Sequence, residues 1–173
     1  MAQFLPWFLL LHVLAAIVAF GPGFAAPLMG SMVGREPRHA NFVARLNYAI
    51  SMRLTLPLSL TMPVTGVLMI ASANIDPARL WLVLGIALWV VAVGFSVLVQ
   101  LPNVRRLIEL SSAAPAVGPG AAVGPGAAVG PGAAMAGPPP ELRTTADRVR
   151  QGGMLLGLLI VVIVFLMVVK PTI

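Results

Sequence analysis

The chain has 173 residues, of which 59% are hydrophobic and 9% charged, with a formal net charge of +6 and no cysteine. A soluble domain carries about 25% charged residues, and one of this size cannot keep so much apolar surface away from water, so lipid is the solvent that the composition fits. Without cysteine there are no disulfides, thiolate metal sites, iron–sulfur clusters or cysteine nucleophiles, and at about 20 apolar residues per span the length holds four spans and no second folded domain.

The first apolar run extends from Phe4 to Val33 without a formal charge. Gly21-Pro22-Gly23 and Pro27 interrupt it. Proline removes a donor and crowds the preceding turn, so the pattern predicts a helix from about Phe4 to Phe20 and then a kink or break. A signal peptide is the competing reading, with Ala25-Ala26-Pro27 as a loose processing region. The lack of a positive start and the length of the run speak against it.

A polar loop, 34–53, follows with Arg35, Glu36, Arg38, His39, Arg45 and Arg53. From Ala40 to Met52 it contains no proline or glycine and spaces Phe42, Leu46, Ala49 and Ile50 at helical intervals, which predicts a cytoplasmic helical extension running into the second span. Span two is expected from about Leu54 to Ala73 and includes Pro57 and Pro63. Thr55 and Ser59 lie four residues apart, as do Thr61 and Thr65, so each pair shares a face expected to point into the bundle. Asn74-Ile75-Asp76-Pro77 reads as a short turn. Span three is expected from about Ala78 to Leu101, with Trp81 suited to the membrane interface and Pro102-Asn103 marking the exit before Arg105 and Arg106.

Residues 111–140 differ in kind, with Val-Gly-Pro-Gly-Ala-Ala three times in succession and Pro138-Pro139-Pro140 at the end. This composition predicts a disordered, elastin-like linker, either a tether or a simple repeat tolerated in a loop. Region 141–173 then supplies an amphipathic lead-in with Arg143, Arg148 and Arg150, capped by Thr144 or Thr145, and a fourth span from about Gly152 to Val169. The expected fold is an all-α, polytopic bundle of four transmembrane helices, three of them within 1–110. Nine arginines fall on one side of the spans, against Arg79 and Lys170 on the other. Positive residues stay in the cytoplasm, so both termini are expected outside. The nine arginines are expected at anionic lipid headgroups. No RNA-binding motif or aromatic-interleaved basic patch points to nucleic acid.

His12 is the principal candidate for chemistry, because an ionisable group within a span is costly unless it has a role. It reads as a haem ligand, a copper or other metal ligand, or a proton-handling group; the competing reading is a neutral histidine hydrogen-bonded across the bundle. His39 reads as a solvated surface group. Met29 and Met32 are the residue type that holds soft Cu(I), although methionine also packs routinely in helical bundles. Gly30-x-x-x-Gly34 and Gly153-x-x-x-Gly157 match the small-residue motif of close helix contact. No P-loop, dinucleotide fingerprint, nucleophile elbow, His-Glu-x-x-His or carboxylate pair is present, which argues against an enzyme.

Three stretches carry a resemblance: Leu9-Leu10-Leu11-His12-Val13-Leu14-Ala15-Ala16, Leu101-Pro102-Asn103-Val104-Arg105-Arg106-Leu107, and Phe165-Leu166-Met167-Val168-Val169-Lys170-Pro171. Together they resemble a family of uncharacterised bacterial four-helix predicted integral membrane proteins. That family is distantly similar to copper-resistance D-type proteins and to bacterial membrane protoporphyrinogen oxidases. The resemblance implies the bacterial inner membrane and a functional histidine in the first span, the position that His12 occupies. The expected function is a small membrane protein that handles haem or metal, or an accessory subunit with a membrane-protein or homo-oligomeric partner. A small-solute or ion transporter, suggested by the kinked and hydroxyl-bearing second span, and a purely structural subunit are the alternatives.

Overall fold

A computed structural model describes residues 2–36, 39–113 and 139–171. A single 3-10 turn at Ala2–Phe4 leads into α1 (Leu5–Arg35). The second rod consists of α2 (Ala40–Ile50), a π-helical turn (Ser51–Thr55) and α3 (Leu56–Ala73). The third consists of α4 (Leu80–Phe95), a π-helical turn (Ser96–Gln100) and α5 (Leu101–Ala113), and the fourth is α6 (Pro140–Val169). All four rods are long and apolar enough to cross a membrane, and no strand occurs among the described residues. The all-α class and the four candidate spans therefore stand.

The rods run up and down. α1 packs along α3, α4 packs along α6, and α6 also touches α1. α2 and α5 meet at the arginine-rich end, where α6 packs on α5. α3 and α4, although joined by the turn at 74–79, do not pack along their lengths. The bundle is thus two tight helix pairs joined through α2 on α5 and α1 on α6. On α1 the inward residues are Leu5, Phe8, His12, Ala15, Ala19, Pro22, Ala26, Met29 and Val33, in a regular three–four spacing. That period keeps one stripe against a partner helix crossing at a shallow angle. The small residues within it let α3 approach, and Ala19 is fully buried. Outside the stripe, Trp7, Ile17, Phe24 and Leu28 are exposed, as a helix facing lipid requires.

Several expected boundaries are corrected. α1 does not break at Gly21-Pro22-Gly23 but continues through Pro22 and Pro27 to Arg35. The Thr55 hydroxyl donates to Ala19 O at 3.0 Å, beside the carbonyl that Pro22 leaves without its usual donor. Pro102-Asn103 does not end the helix, which runs on past the apolar stretch to Ala113. Each π-helical turn directly precedes a Leu-Pro pair, Leu56-Pro57 or Leu101-Pro102. The widened turn makes room for a ring that would otherwise strike the carbonyl four residues back. Neither Thr144 nor Thr145 caps α6; Pro140 opens it, Thr144 donates to Glu141 O at 3.0 Å, and Thr145 is buried.

The 74–79 turn forms as expected. Asn74 takes the left-handed conformation at φ 50°, the Ile75 N–H donates to Ile70 O at 3.1 Å, and the Ala78 N–H donates to Asp76 Oδ1 at 2.9 Å. Lys170 closes α6 in the same left-handed conformation, with its N–H donating to Leu166 O. The three Val-Gly-Pro-Gly-Ala-Ala repeats, and with them most of the expected linker, lie outside the described residues, as does Arg38.

Candidate functional site

His12 lies seven residues into α1, about 10 Å along the axis at 1.5 Å per residue. It sits at the end of the bundle opposite the arginines. It is half-buried against α3, and its Nδ1 lies 2.7 Å from Thr65 Oγ1. The Thr65 hydroxyl is also 3.0 Å from Thr61 O and 3.1 Å from Met62 O, both on its own helix. Its single proton is therefore in reach of backbone carbonyls, which leaves its lone pairs available to a ring N–H. No hydrogen bond among the described residues involves His12 Nε2.

The other hydroxyls of span two divide in two ways. Thr55 and Ser59 face inward with Thr65; Ser59 is 2% exposed and donates to Leu56 O at 2.9 Å. Thr61 departs from the expectation. It is exposed and donates to Leu58 O at 2.7 Å, because the inward stripe passes through Met62 and Thr65 instead. All four hydroxyls are engaged with backbone carbonyls, so they stabilise helices rather than present a row of free polar groups.

Met29 and Met32 do not join His12. They lie 17 and 20 residues further along the same helix, about 25–30 Å away at the helical rise, and Met32 is 62% exposed. Among the described residues no group of three or more His, Cys, Asp or Glu could hold a metal ion. A copper site built from this chain's residues alone does not fit.

The arginine-rich end holds contacts that sequence reasoning missed. Every described arginine of the expected membrane-surface set is exposed: Arg35, Arg45, Arg53, Arg105, Arg106, Arg143, Arg148 and Arg150. Arg105 donates through Nε to the Tyr48 hydroxyl at 2.9 Å and lies 5.3 Å from the ring centroid. Arg106 pairs with Glu109 at 3.4 Å and Glu141 at 3.6 Å, and Arg150 pairs with Asp147 at 3.2 Å. His39 pairs with Glu36 at 3.2 Å on the surface. Asn41 on α2 donates towards Ile108 O, Ser111 Oγ and Ser112 Oγ at 3.1, 2.9 and 2.7 Å, tying α2 to α5. Gln100 donates through Nε2 to Val149 O on α6 at 2.9 Å, while its Oε1 is buried without a partner.

Gln100 reaches α6 because Gly152 has no side chain; a Cβ there would collide with the Gln100 carboxamide and touch Phe95. On α6 the glycine of close approach is thus Gly152. Gly30 and Gly157 have no foreign atom near a would-be Cβ, and Gly153 has only Gln100 Nε2 at 4.0 Å. Trp81 is buried at the opposite end, 7% exposed, with Lys170 Nζ 5.6 Å from its ring centroid. It packs between helices rather than lying in the lipid interface. The spacing of α1's small inward residues and the recurrence of Ser-x-x-x-x-Leu-Pro at Ser51 and Ser96 were both visible signals of this arrangement.

A family model described as "Predicted integral membrane protein (DUF2269)" matches residues 7–120, which is more than half of the chain and includes His12, the hydroxyl stripe and Gln100. No curated protein and no solved structure matches the chain.

Proposed function

The chain belongs to this family of predicted integral membrane proteins, and from that premise we propose that it is a haem-handling protein or accessory subunit, in which His12 Nε2 would hold the iron. One observation carries the reading: the 2.7 Å contact between His12 Nδ1 and a Thr65 hydroxyl whose own proton is directed at Thr61 O and Met62 O. The arrangement that satisfies these groups together has Nδ1–H donating to Thr65 Oγ1. The tautomer is then fixed, and the Nε2 lone pair is left for a ligand. Histidines that bind metals characteristically donate their other ring N–H to a nearby acceptor, which orients the ring. The neighbours of His12 on α1, Phe8, Ala15 and Ala16, are half-buried and apolar, surroundings compatible with a hydrophobic ligand. When bound, haem would supply electron transfer or be the cargo itself; the protein's part is to orient the imidazole and exclude water.

The test is an optical spectrum with iron and copper analysis of the full chain purified from its native membrane, beside His12→Ala and Thr65→Val. The reading expects a Soret band that His12→Ala removes and that Thr65→Val weakens, with affinity reduced about tenfold or more. A colourless and iron-free protein, or a band indifferent to both substitutions, discards it. The same reading places the chain in the bacterial inner membrane with both termini outside and the arginine-rich end in the cytoplasm. With no native cysteine, single Ala2→Cys and Ser112→Cys variants test this directly. An impermeant maleimide applied to intact cells should label the first and spare the second; the opposite pattern inverts the topology.

A further inference from the structure

At the arginine-rich end, between the third and fourth rods, lies a groove of about 300 Å³. Its walls are Phe95, Val99 and Leu155, its floor is Gly152, and its rim carries Asn103, Arg148 and Gln151. The rim sits where two apolar runs end together. The stretch from Gly152 to Val169 carries no charged residue, and neither does the stretch from Leu80 to Leu101. The groove therefore straddles the boundary between hydrocarbon and headgroups, apolar towards the bilayer centre and polar towards its surface.

Arg148, like Arg143, differs from the paired arginines around it. Arg106 and Arg150 are held by carboxylates, whereas among the described residues no carboxylate lies within ion-pair distance of Arg148. The Asn103 and Gln151 carboxamides likewise make no hydrogen bond among the described residues. One free guanidinium fork and two free amides thus converge above an apolar slot. A guanidinium matches phosphate oxygens in a bidentate manner, and amides donate to further oxygens. We propose that this groove is a binding site for an anionic glycerophospholipid, with the phosphate at Arg148, headgroup oxygens at Asn103 and Gln151, and an acyl chain along Val99 and Leu155. The volume is at the small end of ligand pockets, enough for the headgroup and glycerol, with the chains continuing along lipid-facing residues such as Leu98, 75% exposed. Gly152 lines the slot, and its lack of a side chain lets Gln100 and Phe95 of the third rod close against α6.

The experiment uses the full chain, delipidated in neutral detergent and titrated with phosphatidylglycerol or phosphatidylcholine, with bound lipid counted by native mass spectrometry. Phosphatidylglycerol should saturate near one per chain and phosphatidylcholine should bind about fivefold more weakly or worse, the discrimination expected of one interfacial arginine. Arg148→Gln should weaken phosphatidylglycerol about five- to tenfold. Arg143→Gln, an exposed arginine of the same helix outside the groove, should change it less than about twofold, because one exposed charge adds little at a distance. Leu155→Trp fills the slot without touching a charge, and its lipid binding should also fall. Equal losses for the two arginine variants would show diffuse surface attraction. Equal binding of the two lipids, displacement by equimolar inorganic phosphate, or undiminished binding to Leu155→Trp would each overturn the proposal.

Discussion

Placing an alanine at position 152 tests the packing between the third and fourth rods. The new Cβ would collide with the Gln100 carboxamide oxygen, lie 3.1 Å from Gln100 Cδ and lie 3.4 Å from Phe95 Cε1. Gln100 cannot simply swing away, because its Nε2 is held at 2.9 Å from Val149 O. Losing that bond costs about 0.6 kcal/mol on average and up to about 1.7 in membrane bundles. Forcing a methyl into a filled contact costs about 1–3 kcal/mol more. Replacing a helical glycine returns at most about 1 kcal/mol. The net expectation is a loss of about 1–3 kcal/mol for Gly152→Ala, measured by unfolding in mixed micelles of mild detergent and dodecyl sulfate. Gly157→Ala, with open space around its Cβ, should be neutral or slightly stabilising. In a Gln100→Ala background the cost of Gly152→Ala should largely vanish, giving a coupling of at least about 1 kcal/mol. Equal effects at 152 and 157, or no coupling to Gln100, would refute the contact as the cause.

Three further outcomes are expected. Asn41→Leu removes the donor set between α2 and α5 and should cost about 1 kcal/mol, with faster hydrogen exchange over α5 and none of that change near Trp81. Tyr48→Phe keeps the ring under Arg105 but deletes its hydroxyl; at this exposed site the loss should stay below about 1 kcal/mol, and a larger loss in the same unfolding assay contradicts the assignment. Ser72 is 8% exposed and its Oγ is buried without a partner, so Ser72→Ala should be neutral or stabilising by up to about 1 kcal/mol; a clear destabilisation would mean that the hydroxyl is bonded.

The candidate site was only partly legible. His12 stood out because it is the one ionisable group well inside an apolar run. Thr65 was recognisable as an inward hydroxyl, but its pairing with His12 joins residues 53 apart in the chain. Thr61 was misassigned because an i, i+4 relation to Thr65 says only that two residues share a broad face. The inward stripe is narrower than that and passes through Met62. The Gly153-x-x-x-Gly157 motif pointed at the right helix and missed the contact by one residue, since the motif carries no information about which side chain arrives from across the interface.

The lipid solvent, the four candidate spans and the concentration of arginines at one end were determined by the sequence alone. Each is a sum over neighbouring residues: apolar length against bilayer thickness, or charge at the ends of runs. Where helices stop was not of that kind. Pro22 read as a kink or break and Pro102 as the exit of a span, and both lie within continuous rods. The cost of a proline depends on whether the preceding turn can widen and on what packs around the carbonyl it frees. The free Nε2 of His12, the approach of Gln100 to Gly152 and the unpaired Arg148 likewise appear only once the rods are packed. They depend on which groups from distant segments come within a few ångströms of one another, and in a uniformly apolar chain the local pattern leaves that choice open.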